Sequence, residues 1–302
     1  MTHVAILLVP TLACLVVAMA SSGIQRRLAP AAGAILLTGA AIASAGAVIL
    51  ALGAISFAYL TEVPWMADTL GWCRELSPID DHVPTALGVG TLVALFVSGI
   101  RAFWYLRHAT WHSSTAAPEI VVVQSLAVEA VAVPGDPGRI VVSSAMMDVL
   151  DDDEREAMLA HERAHLRHRH HRFLVLAGVA AAAVPLVHPI STRVRFCTER
   201  WADESAAVYV GDRSLVARAI AKAALASVGP PPRTALALLG LGVPGRIGAL
   251  LGPQRRAGAG ASMLLVSGLG GLAMSIGAST VQLHHVIGFA RHVCGEIGRA
   301  HV

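Results

Sequence analysis

Long apolar runs almost free of charge, at 3–20, 31–60, 84–106, 173–187 and 261–281, constrain this chain more than any motif it carries. A helix of about 18 or more such residues crosses a hydrocarbon core, and four of the five runs pass that length. With 55% of its 302 residues apolar and 14% charged, the chain expects a bilayer as its solvent rather than water. No charged stretch precedes residues 3–20, and a second apolar run follows closely. That run therefore reads as a retained anchor, not a cleaved signal peptide.

Arginines set the expected topology. The connector after the first run holds Arg26 and Arg27, whereas 61–83 has no lysine or arginine except Arg74. The excess of Arg on cytoplasmic loops makes the first connector cytoplasmic and the second external. The N-terminus is then external, the third span enters the cytoplasm near Arg107, and Arg255 and Arg256 hold the entry of the last span on that side. The expected architecture is an α-helical membrane protein with about four transmembrane helices. It has a three-span membrane domain at 1–106, a cytoplasmic domain at 107–260, a last span at 261–281 and a short external tail at 282–302. The formal charge of +3 and the placement of arginines at span ends give no footprint for direct nucleic-acid binding. Cys14, Cys73, Cys197 and Cys294 form no C-x-x-C pair, so a cysteine zinc site is not expected. Cys73 and Cys294 are both external in this topology, either paired or as two free thiols.

The segment after the third span alternates Val- and Ile-rich stretches with "PGDPG", the pattern of a small sheet with a tight turn. "DDDEREAMLA" then begins a helix with acidic residues in its first turn and a capping box from Asp151 and Glu154. The soluble part is thus α+β. On that helix "LAHERAHLRH" places His161 and His165 one turn apart on one face, able to reach a single ion. Glu162, turned about 100° away, is placed to act as the catalytic base on a zinc-activated water.

A catalytic zinc takes three protein ligands and keeps one position for water. Downstream, "CTERWADESAA" puts Glu199 and Asp203 on one face of a second helix, with Ser191 or Thr192 as its cap and Gly211 as its stop. Glu199 is the expected third ligand, and Asp203 the acceptor for the free N–H of a ligand imidazole. The bland alternative is an exposed acidic patch, which suits Glu204 well. His168 offers a three-histidine alternative, while His170 and His171, among Arg167, Arg169 and Arg172, read as a collar facing lipid headgroups. Cys197 reads as packing. Arg246, Tyr209 and His188 are the candidates for stabilising a developing oxyanion.

The apolar run 173–187 would be roughly 22 Å long as a helix, against a hydrocarbon core of about 30 Å. A crossing there would separate His165 from Glu199 by a bilayer, which one zinc cannot bridge. Residues 173–196 are therefore expected to form a short apolar hairpin turning at Pro185 and Pro189.

With these residues in view, roughly 84–282 resembles the BlaR/MecR family of membrane zinc metallopeptidases, related to HtpX-like peptidases. The likeness rests on "GRIVVSSAMMDVLDDDEREAMLAHERAHLRHRH", "TERWADESAA" and "GRIGALL" around Arg246. It implies a gluzincin-type zinc endopeptidase with His161, His165 and Glu199 as ligands of one Zn2+ and Glu162 as general base. It also implies cleavage of a cytoplasmic winged-helix repressor of the BlaI kind in signal transduction. Residues 282–302 are too few for that family's penicillin-binding sensor, so a sensor-less member is expected. A catalytically silent membrane scaffold with a structural zinc is the competing reading. A transporter is disfavoured for want of charged pairs inside the spans.

Overall fold

The computed structural model describes residues 2–64, 82–109, 119–227 and 242–253. The expected last span at 261–281, the tail at 282–302, and both Cys73 and Cys294 lie outside those residues. Among the described residues three helices are long and apolar enough to cross a membrane: α1 (Thr2–Arg27), α2 (Pro30–Glu62) and α3 (Thr85–Ala109). Their outer faces expose Leu8, Leu12, Leu15, Phe96 and Phe103, a surface suited to hydrocarbon. α2 is the central element, and its small residues Ala34, Ala41 and Ala45 let its neighbours approach closely. Buried hydroxyls find partners inside the bundle: Thr38 donates to the Ala34 carbonyl at 2.7 Å, and Ser56 to Thr91 Oγ1 of α3 at 3.0 Å.

After α3 comes a three-stranded sheet in the order β1-β3-β2, formed by β1 (Ile120–Val123), β2 (Ala130–Val133) and β3 (Arg139–Ser143). β2 and β3 form an antiparallel hairpin across the "PGDPG" turn, with Ala132 opposite Ile140, and β1 runs parallel to β3. β2 is left as an edge strand. Ile140 and Val142, fully buried, pack with Met146, Leu150 and Met158 beneath the helices that follow.

Those helices are α4 (Ser144–Val149) and α5 (Asp152–Arg167), each started by a side-chain cap. The Ser143 hydroxyl accepts from the Met146 N–H, and Asp151 and Glu154 close a reciprocal capping box. Glu154 is buried because Lys222 of α8 (Arg213–Ala226) donates to its carboxylate at 2.6 Å. The N-terminus of α5 is therefore fixed before its functional residues begin.

The apolar run near 173 folds as α6 (His170–Ala183), a single 3-10 turn at Pro185–Val187, and α7 (His188–Val210), which packs back against α6. At about 1.5 Å per residue, α6 is too short to cross a core of about 30 Å. Its C-terminal end is held by Arg101 of α3, whose Nε donates to the Ala182 carbonyl at 2.8 Å. α7 does not start at Ser191 or Thr192: it begins at His188 with Pro189 in the first turn, where proline's fixed φ helps and its missing N–H costs nothing. Thr192 instead donates to the His188 carbonyl, and α7 stops at Gly211 in the left-handed conformation, φ 75°.

α6 meets α3 at Gly178, where a Cβ would run into the Tyr105 ring. Gly178→Ala is expected to destabilise the chain by about 1–3 kcal/mol through overpacking, measured by denaturant unfolding in detergent micelles. An unchanged midpoint would show that the α3–α6 contact is not tight there.

Candidate metal centre

α5 and α7 cross closely because the surfaces between them are made of alanines: Ala157 and Ala160 on one side, Ala206 and Ala207 on the other. That approach brings His161 and His165 of α5 against Glu199 of α7. The Nε2 atoms of His161 and His165 are 3.1 Å apart, and the Glu199 carboxylate oxygens stand 3.6 Å from the first and 3.7 Å from the second. Zinc bonds of about 2.1 Å in a tetrahedral site put neighbouring donor atoms about 3.4 Å apart. The three donors thus converge at separations a zinc ion fits, and among the described residues they are the His/Glu cluster that could hold a metal.

Around this triangle lies a closed set of charges. His161 Nδ1 is 3.0 Å from Asp203 Oδ1, a contact set by charge more than by hydrogen-bond alignment. Arg246, on α9 (Val243–Leu251), donates through Nε to Asp203 Oδ2 at 2.8 Å, pairs through its second nitrogen with Oδ1, and reaches Glu199 at 3.0 Å. Burial alone would lower the His161 ring, but the Asp203 and Glu199 carboxylates outweigh it and hold it up to about 10. Burial pushes Glu199 upward, yet His161 and Arg246 keep its carboxyl well below the usual range. Burial, with the His161 charge behind it, lowers His165 to about 4. Two carboxylates share one guanidinium here, leaving negative charge that only a cation at the His161–Glu199 position can offset. A proton on His161 offsets that one net charge, and a divalent ion held by the three donors would offset it in the proton's place.

Glu162 sits beside the triangle in a cleft of about 760 Å³. Burial raises its carboxyl to about 7, with the Ala132 backbone N–H of edge strand β2 opposing that shift. In an extended strand the N–H and C=O of one residue point to the same edge, so Ala132 turns its carbonyl toward the cleft as well. Val216 and Ile220 of α8 add apolar side chains to the lining of the cleft.

Of the three residues considered for oxyanion stabilisation, the structure brings Arg246 to the centre and leaves the others away. Tyr209 is exposed about 15 Å along α7 beyond Glu199, and His188 is exposed about 17 Å before it. Both had only residue type to recommend them. Arg246 has most of its donors committed to Asp203 and Glu199.

Three further expectations are corrected. His170 does not face headgroups: it is fully buried, with its Nδ1 3.1 Å from Nδ1 of His165. α5 ends at Arg167, and Arg169 takes a left-handed conformation, φ 52°, which turns the chain so that His170 points inward while Arg167, Arg169 and Arg172 stay exposed. A continuous helix would have kept them together. His168, at the C-terminus of α5, is not one of the converging donors; it stacks on Trp201 at 4.6 Å. Glu204 is likewise no exposed patch residue. It accepts from Arg213 at 2.7 Å, and Arg213 also donates to the carbonyls of Ala249 and Gly252, pinning the end of α9 and with it Arg246. Cys197 is buried against Gly33 of α2.

Residues 106–226 match the model of Peptidase family M48, a family of zinc metallopeptidases, and the stretch contains His161, Glu162, His165, Glu199 and Asp203. The match supports a metallopeptidase domain there and leaves the narrower likeness to BlaR/MecR proteins unaddressed. No curated protein and no solved structure matches the chain.

Proposed function

We propose that the chain is a membrane-anchored, zinc-dependent endopeptidase in which His161, His165 and Glu199 hold one zinc and Glu162 is the general base. The observation that carries this reading is the convergence of these donors, with the His161 and His165 Nε2 atoms 3.1 Å apart, Glu199 Oε2 3.6 Å from the first and Oε1 3.7 Å from the second, next to a partly buried carboxyl that is not one of them. A bound zinc would supply Lewis acidity toward a water and a scissile carbonyl. Glu162 takes the proton from the attacking water and delivers it to the leaving amine. The free edge of β2 offers backbone groups on which an extended substrate segment lies as an added strand. Asp203 fixes the ring of His161, and Arg246 holds Asp203 and Glu199 in place.

The same reading assigns residues 107–260 to the peptidase domain with its hairpin at 173–196, and 261–281 to a fourth span. The distribution of arginines supports an external N-terminus and a cytoplasmic centre at the plasma membrane. The BlaR/MecR resemblance favours a winged-helix repressor as the substrate. Purified full-length chain is expected to contain about one zinc and to cleave that repressor or a denatured protein such as casein. It should lose this activity to 1,10-phenanthroline and regain it on zinc addition. Cleavage that persists after complete removal of the metal would overturn the proposal, and cleavage of casein with the repressor left intact would remove only the assigned substrate.

A further inference from the structure

His161 and His165 are held differently, and the difference singles out a residue outside H-E-x-x-H. The second nitrogen of His161 faces a carboxylate, Asp203, at 3.0 Å. The second nitrogen of His165 faces another imidazole, Nδ1 of His170, at 3.1 Å. Resting on the metal reading above, we propose that His170 is a positioning residue for the centre: a neutral ring whose Nδ1 accepts a hydrogen bond from His165 Nδ1–H and so fixes the tautomer that turns the His165 Nε2 lone pair toward Glu199.

The hydrogen positions follow from elimination. A ligand nitrogen must present a lone pair, so His165 with Nε2 bare carries its hydrogen on Nδ1. Two N–H groups cannot face each other at 3.1 Å, which makes His170 Nδ1 the acceptor and places the His170 hydrogen on Nε2. His170 is fully buried and pairs with no carboxylate, so its ring is neutral. Its Nε2 has no hydrogen-bond partner among the described residues and lies in the ring cluster with Trp201, centroid at 4.9 Å, and His168 at 5.6 Å. A buried donor left without a partner is a cost that an apolar side chain in the same space would avoid. The chain carries it where the opposite nitrogen holds His165. His170 lies behind the His165 ring, on the side away from Glu199, and so acts through His165.

The test uses the full-length chain in detergent micelles, with zinc affinity measured by competition against a chromophoric chelator. His170→Leu is expected to weaken zinc binding tenfold to hundredfold and to alter the visible spectrum of the cobalt-substituted protein. His170→Asn, whose amide oxygen can take the place of Nδ1 as acceptor, is expected to stay within a few-fold of wild type. A residue that merely filled space would give the opposite order. His170→Leu binding zinc as tightly as wild type overturns the proposal, as does an equal loss in both variants. If His170→Leu does not fold, the wild-type chain with 15N-labelled histidine decides: His170 must appear as the Nε2–H tautomer, with nitrogen–nitrogen coupling to His165 Nδ1, and the Nδ1–H tautomer overturns the proposal. Wild type that binds no zinc would overturn the metal reading itself, whereas normal wild-type binding unaffected by His170→Leu overturns only the role of His170.

Discussion

Glu162→Gln is expected to stop cleavage while leaving the zinc in place. Removing a positioned general base costs a factor of about 10²–10⁴ in rate, and the other carboxyls at the centre among the described residues are committed: Glu199 to the donor cluster, and Asp203 to Arg246 and His161. The ligand atoms are untouched, since Glu162 projects from α5 about 100° away from His161. Glutamine has the same shape and carries no charge into a cleft where burial already raises the carboxyl to about 7, so the fold should not suffer. Zinc content and initial rate on the same preparation decide the matter. A variant with zinc bound and wild-type cleavage would remove Glu162 from the mechanism, and a variant without zinc would mean that it serves as a ligand.

What the sequence made legible is what neighbours along the chain determine. The capping box of Asp151 and Glu154, the shared face of His161 and His165, and the β2–β3 hairpin across "PGDPG" are all set within a few residues. The pairing of Glu199 with Asp203 was legible for the same reason, since four residues make one helical turn. The reversal near Pro185 needed one more premise, that a single ion joins His165 and Glu199. Other features depend on contacts no local pattern encodes. β1 pairs in parallel with β3, not with β2, its neighbour in sequence. His170 was hidden by Arg169, one left-handed residue that converts a run of polar side chains into an inward turn. Glu204 looked like surface because its partner Arg213, and the α9 carbonyls that Arg213 clamps, come later in the chain. The arginine was legible as a residue type near the last span, but its partners were not, because a helix placed only by tertiary contacts carries it.

Arg246→Ala is expected to be among the most destabilising single changes outside the spans. The guanidinium makes a two-point pair with Asp203, whose side chain is only 2% exposed, and touches Glu199 with a third nitrogen. Its removal leaves the buried Asp203 and the partly buried Glu199 facing the two histidines without their guanidinium, and breaking a buried pair such as Arg246–Asp203 from one side costs about 3–5 kcal/mol. Arg246→Lys should recover only part of this, because an ammonium is a point donor and cannot reproduce the planar fork. Most of the loss should come from stranding Asp203, so Asp203→Asn placed on top of Arg246→Ala should cost much less than Asp203→Asn alone. Denaturant unfolding of the four proteins in micelles, with the metal removed by chelation, closes the cycle. Additive losses would show that Arg246 does not act by holding Asp203. Its remaining contact, with Glu199, would then be the place to look for a direct part in the reaction.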